Sequence, residues 1–147
     1  TETGPVGGDD YTIPFGQACI KRSGDDITII GTSSMVDVSL KAANLLEDEG
    51  ISAEVIDPRT LFPLDRETLL ESVRKTGYAV VVDEGVHRYG VTGELASLIN
   101  EEAFDYLDAP VARIGAADVP VPFSPSLEMP TIPDEQKIIQ AVHSLRS

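Results

Sequence analysis

Three stretches of this sequence set polar and ionisable side chains close enough together to suggest chemistry. The densest is Asp83-Glu84-Gly85-Val86-His87-Arg88-Tyr89-Gly90, with two carboxylates, an imidazole and a guanidinium. Imidazole titrates near neutrality, so His87 is of the right type for a general base. Acid–base catalysis also needs positioned partners, and no nucleophile–base arrangement is legible beside it. The spacing matches no metal-binding pattern, and the other histidine, His143, is far away in sequence and expected to be exposed. The same four side-chain types are also what a contact surface presents. No residue is therefore assigned to catalysis or to metal binding.

The second stretch is Gly31-Thr32-Ser33-Ser34. At a helix start it can hold an anion on free backbone amides. It lacks the full G-x-G-x-x-G pattern and the lysine of a phosphate loop. A simple Ser or Thr helix cap is the favoured reading, given how strongly these residues prefer caps. The third is Asp57-Pro58-Arg59-Thr60-Leu61-Phe62-Pro63-Leu64-Asp65. An aspartate ending a strand suits a phosphate-accepting receiver domain. That chemistry also needs an acidic pair after the first parallel strand and a lysine after a late one. Neither residues 31–34 nor 115–117 supply them. The prolines instead fix a turn, with Asp57 or Arg59 available to tie down loop backbone. Cys19, the single cysteine, reads as a small core hydrophobe within a strand.

The elements that must carry these loops alternate. Short apolar runs at 18–22 and 27–31 are separated by the turn sequence Ser23-Gly24-Asp25-Asp26. A helix follows, with Ser34 as cap and Asp37 in the capping-box position. Met35, Val38, Ala42, Leu45 and Leu46 share a face at helical spacing, and Gly50 suits a left-handed end. A strand is predicted at 53–57. Asp65 opens a second helix with Leu69, Leu70 and Val73 inward, ended by Thr76-Gly77. Residues 78–83 read as a strand buried on both faces, because Val80-Val81-Val82 has no polar alternation. A loop is predicted at 84–93. The third helix buries Leu95, Leu98, Ile99, Ala103 and Tyr106, and a last strand spans 111–115. Five prolines between 118 and 133 discourage regular structure there. A final helix over 134–145 buries Ile138, Ile139, Val142 and Leu145. Alternating strands and helices predict an α/β domain with a mostly parallel sheet and helices on both faces. The first strand has no preceding crossover, so it can be antiparallel, either beside its sequence neighbour or at an edge.

Composition narrows the function classes. The 147 residues fit one domain, and 41% hydrophobic content supplies a core. No apolar run reaches the roughly 18 residues of a membrane span, so no membrane partner is expected. One cysteine forms no internal disulfide, which favours an intracellular setting. Eleven basic and twenty-five acidic residues give a net charge of −14. That charge argues against nucleic acid as a partner. It could attract a basic protein partner, but net charge speaks more directly to solubility than to partners.

Residues 51–65 also closely resemble a signature of the transketolase C-terminal domain family. More narrowly, they are similar to β subunits of the thiamine-diphosphate-dependent 2-oxo acid dehydrogenases and of acetoin dehydrogenase. Further matching stretches lie at 71–77, 80–85, 103–111 and 118–125, so the resemblance covers about residues 13–145. It implies a three-layer α/β/α sandwich with a five-stranded, mostly parallel sheet whose first strand is antiparallel and at an edge. It implies that residues 1–12 are a flexible linker from a preceding domain, and that 13–147 form the family domain.

The resemblance implies an assembly role. The family's cofactor-binding residues lie in other domains, so this domain is expected to bind no cofactor. Thiamine diphosphate and magnesium belong to the full enzyme, which oxidatively decarboxylates a 2-oxo acid and passes the acyl group to lipoyl groups. Expected partners are a second β subunit, the α subunit and the subunit-binding domain of the acyltransferase core. The expected location is the cytoplasm, or the mitochondrial matrix in a eukaryote. Relatives often differ at 86–89, so Glu84, His87, Arg88 and Tyr89 become candidates for a subunit interface. The competing reading is a regulatory module that binds a small molecule in the Gly31–Ser34 crevice.

Overall fold

The structure is a computed structural model that describes Gly8 and residues 11–147. Most of the linker expected at 1–12 lies outside the described residues. Five strands form one sheet: β1 (Cys19–Arg22), β2 (Ile27–Gly31), β3 (Ala53–Asp57), β4 (Ala79–Val86) and β5 (Ala112–Ala116). Their spatial order is β1-β3-β2-β4-β5. The three pairings among β2 to β5 are parallel, and β1 runs antiparallel to β3 at the edge. Across the Ser23–Asp26 turn, β1 does not pair with β2. Gly24 explains part of this, because a Cβ there would lie 2.2 Å from the Ala53 carbonyl carbon. The turn is pressed onto the start of β3, and the chain passes over that strand.

Helices cover both faces, as an all-buried parallel sheet requires. On one side α1 (Met35–Asp48) and α5 (Glu135–Leu145) pack over Ile27, Ile29, Val55, Val80 and Val82. On the other, α2 (Arg66–Thr76) and α3 (Val91–Ala103) pack over Ile30, Ile56 and Val81. Alternate residues of β2 thus serve two separate cores, the period-2 consequence of strand geometry. The proline-bearing region holds only one turn of helix, α4 (Pro125–Glu128), followed by a 3-10 turn. Among the described residues, no helix is long and apolar enough to cross a membrane.

Helix ends follow their sequence signals in most places. After α1, Gly50 takes φ +79°, Gly50 N–H donates to Glu47 O and Ile51 N–H to Leu46 O. These are the two bonds of a Schellman end. Asp65 caps α2 by accepting from the Thr68 amide, and Gly77 ends it at φ +73°. Asp134 caps α5 through the Lys137 amide at 2.9 Å.

Several expectations are corrected. Ser34 occupies the α1 N-cap position but makes no side-chain cap bond, because its hydroxyl donates to Glu84 instead. On α1, Val36 is buried and Leu45 exposed, since the core faces the Met35–Ser39–Ala42–Ala43–Leu46 stripe. The strand β4 continues through Val86, beyond the predicted 83, because β5 keeps pairing with it up to Ala116. Tyr106 is exposed, as α3 ends at Ala103 and a 3-10 turn rotates the following residues off the helical face. Leu145 and Cys19 are half-buried, not core residues.

Candidate functional site

Ligands of open α/β sheets bind beyond the carboxyl ends of strands, where the strand order reverses. Here the chain leaves β2 toward β3 on one side and reaches β4 on the other, so the reversal lies at β2 and β4. The Gly31–Ser34 loop and Asp83–Glu84 meet at that point. The Thr32 hydroxyl donates to Asp83, and Ser33 and Ser34 donate to the two oxygens of Glu84, Ser33 at 3.2 Å. Three backbone amides at this point are also engaged. Thr32 N–H donates to Val82 O at 3.1 Å, Met35 N–H to Thr32 O and Val36 N–H to Ser33 O.

That arrangement counts against anion binding at residues 31–34. The three hydroxyls and the amides of Thr32, Met35 and Val36 already have acceptors, and the Asp83 and Glu84 carboxylates stand beside them. A cleft of about 270 Å³ does open nearby, lined by Thr32, Ser33, Asp57, Arg59, Leu61 and Asp83 among others. Its charged groups are two carboxylates and one guanidinium, so a diphosphate meets net repulsion there. Among the described residues, no group of three or more potential metal ligands comes together.

The four candidate interface residues separate into two places. Glu84 faces the start of α1, as described. His87, Arg88 and Tyr89 follow a break in the β4–β5 ladder, where Val82 pairs with Ile114 and Val86 with Ala116. Four steps on β4 thus match two on β5, and the surplus bulges outward. Asp83 stabilises the bulge by accepting from Gly85 N–H at 2.7 Å. The two chains then approach so closely that a Cβ on Gly115 would lie 2.7 Å from the His87 Cα. His87 N–H completes the contact by donating to Ala116 O at 3.0 Å.

Beyond this point the turn is held by charge. The Arg88 amide and its Nε both donate to the Asp118 carboxylate, at 3.1 and 3.0 Å. Arg113 Nη2 lies 3.2 Å from His87 Nε2. A guanidinium only donates, so the imidazole accepts at Nε2. Tyr89 sits at φ +57° with its side chain wholly exposed, 105% of its reference area. A non-glycine residue held in that region and pointing at solvent is a functional signal.

Arg113, Asp118 and a set of exposed apolar side chains were not singled out by sequence reasoning. Asp118, tied to Arg88, leads into Val119, Val121 and Phe123, all exposed. The alternating Val-Pro-Val-Pro-Phe pattern was the available signal. A shallow hollow of about 540 Å³ between Tyr89, Arg113 and the start of α3 shares Glu94 with a second, of about 320 Å³, beside Leu61, Phe62 and Arg66. Phe62 is 95% exposed. Exposed Tyr, Phe and Arg side chains are the residue types that protein interfaces favour.

Comparison with known proteins agrees with the sequence resemblance. The family model for the C-terminal domain of transketolase matches residues 16–138. The chain is 50% identical over 131 residues to the pyruvate dehydrogenase E1 component subunit beta, mitochondrial, of Pisum sativum, covering 89% of this chain and 36% of that protein. It is 48% identical over 130 residues to the pyruvate dehydrogenase E1 component subunit beta of Rickettsia felis, covering 88% and 40%. It is 43% identical over 142 residues to the acetoin:2,6-dichlorophenolindophenol oxidoreductase subunit beta of Bacillus subtilis, covering 97% and 42%. Among solved structures, a split-gene transketolase described as an inactive beta4 tetramer superposes with a TM-score of 0.80 at 32% identity, over 97% of this chain and 45% of that one. The chain thus spans about two fifths of the length of the curated relatives it matches.

Proposed function

The chain belongs to the transketolase C-terminal domain family, and from that premise we propose that it is the assembly domain of a 2-oxo acid dehydrogenase β subunit. The observation that carries this reading is the 48–50% identity to pyruvate dehydrogenase E1 β subunits across nearly nine tenths of the chain. A pyruvate-type substrate is the first choice. The acetoin relative, similar over a longer stretch at 43%, supports the second.

In this reading the domain contributes surface and no catalytic groups. Thiamine diphosphate, when bound to the full enzyme, supplies the carbanion chemistry of decarboxylation. The sheet-edge donors here do not fit its diphosphate, because Asp83 and Glu84 already accept the available hydroxyls. No reaction step is therefore routed through this domain. The proposed contact face is the His87–Tyr89 turn with Arg113 and the exposed Val119, Val121 and Phe123, and its partners are a second β subunit and the α subunit. The acidic balance of the chain suits a basic subunit-binding domain on the acyltransferase core.

The test is binding of the chain to the α subunit and to that binding domain across a salt series. Association that weakens as salt rises supports the reading, as screening predicts. Absence of association with either protein at low salt would sink it.

A further inference from the structure

We propose that residues 13–22, comprising the approach to β1 and β1 itself, form a releasable strap that walls a cleft at the sheet's carboxyl edge, with Thr60 and Asp65 as its latch. The proposal rests on how this segment is attached and what it covers. None of the residues of β1 belongs to either core cluster, and among the buried residues its neighbour β3 contributes Ala53, Val55 and Ile56, all at 0% exposure. The outer strand is four residues long, its pairing with β3 shifts register between Ile20 and Arg22, and Ile20 is exposed.

Besides the short ladder of β1 with β3, polar contacts from one loop hold the segment. Gly16 N–H donates to Thr60 Oγ1 at 3.0 Å, and Ala18 N–H donates to Asp65 Oδ2 at 2.9 Å. Thr60 is itself fixed by donating to Pro63 O at 2.6 Å. Gly16 takes φ +73°, and a Cβ there would lie 3.1 Å from the Pro63 ring. Farther along, Lys21 pairs with Asp57 at 3.7 Å, and Arg22 pairs with Asn44 and Glu47 near the C-terminal end of α1. Partly exposed ion pairs of this kind contribute little each. A segment that touches a core cluster through Ala18 and is otherwise held by such links opens at lower free energy than the whole domain.

What the strap covers gives the opening a consequence. Ile13, Pro14 and Phe15 form one wall of a cleft of about 370 Å³, with Ser33, Asp57 and Arg59 opposite. Latched, the strap narrows access to the edge where β2 and β3 end. Released, it removes that wall and frees Asp57 from Lys21. Thr60 and Asp65 are positioning residues in this device, acting through the segment they hold, and Asp65 also caps α2.

The experiment is native-state hydrogen exchange on the full chain, at several denaturant concentrations below the unfolding transition. The amides of Gly16, Ala18 and β1 are expected to exchange roughly a hundredfold faster than those of β2 and β4, with little dependence on denaturant. An Asp65→Asn, Thr60→Val double variant is expected to raise strap exchange at least tenfold further and leave β4 unchanged. Asparagine serves as well as aspartate at an N-cap, so α2 keeps its start while the acceptor for Ala18 is lost. Strap amides that exchange at the rate of β4, with the same denaturant dependence, overturn the proposal. So does a double variant that speeds all amides equally. Should that variant not fold, the comparison of strap and β4 amides in the unaltered chain decides alone.

Discussion

The Asp65 carboxylate accepts the backbone amide of Ala18 at 2.9 Å, across 47 positions of sequence, while its other oxygen accepts the amide of Thr68. One side chain thereby starts α2 and ties down the approach to β1. Burial raises the pKa of this carboxyl, but the bonds from the Ala18 amide and from the Thr68 hydroxyl and amide outweigh it, and the group is held below the ordinary aspartate value.

A folded-state pKa below the unfolded one means that the charged form contributes stability above the unfolded value. That contribution is lost as pH falls through the folded value. Asp65→Ala is expected to destabilise the chain by about 1 kcal/mol at neutral pH, the typical cost of a lost cap. The deficit should shrink as the medium is acidified below the ordinary carboxylate range. Urea unfolding of both proteins from neutral to acid pH measures it, and a deficit that grows toward acid contradicts this account.

Gly115→Ala should cost about 1–3 kcal/mol, the range for overpacking. The new methyl would meet His87 backbone atoms at 2.7 and 2.9 Å, and a backbone flanked by a ladder hydrogen bond has little room to yield. Thermal unfolding reads the loss. A neutral result would show that the β4–β5 contact relaxes freely.

Tyr89→Ala should leave the isolated domain's stability within about 0.5 kcal/mol, because the side chain is fully exposed. If the turn is a contact face, the same change weakens subunit association by at least about tenfold, as truncating an aromatic anchor does. Sedimentation of the mixed subunits reads the association. Unchanged association together with unchanged stability would remove Tyr89 from the interface.

Inorganic phosphate should not raise the melting temperature. An anion site in the Gly31–Ser34 crevice, filled at a hundredfold excess over its Kd, would add about 2.7 kcal/mol. Thermal scans with and without phosphate, at constant ionic strength, separate the assembly reading from the regulatory-module reading.

The strands and helices were legible because periodicity reports burial. The unbroken Val80-Val81-Val82 announced a strand covered on both faces, and residues 27–31 and 53–57 match their strands residue for residue. Contacts between distant loops were not legible. Nothing local shows that Ser34 gives its hydroxyl to Glu84, fifty positions on, in preference to the helix it begins. Arg113 drew no notice in the sequence because its setting depends on a bulge in β4, which is a property of a pairing between strands. Tyr106 was misplaced because a 3.6 period continued past Ala103, where the chain itself changes to a tighter turn.

The sheet between the two helical layers also isolates them energetically. Leu46 belongs to the cluster under α1 and α5, and Leu69 to the cluster under α2 and α3. A cavity cut beneath one layer cannot be filled by side chains of the other, since strand backbone stands between. Losses from truncating the two leucines should therefore sum, with a coupling no larger than about 0.5 kcal/mol. Damage to one half of the interior would remain local until the strands themselves give way.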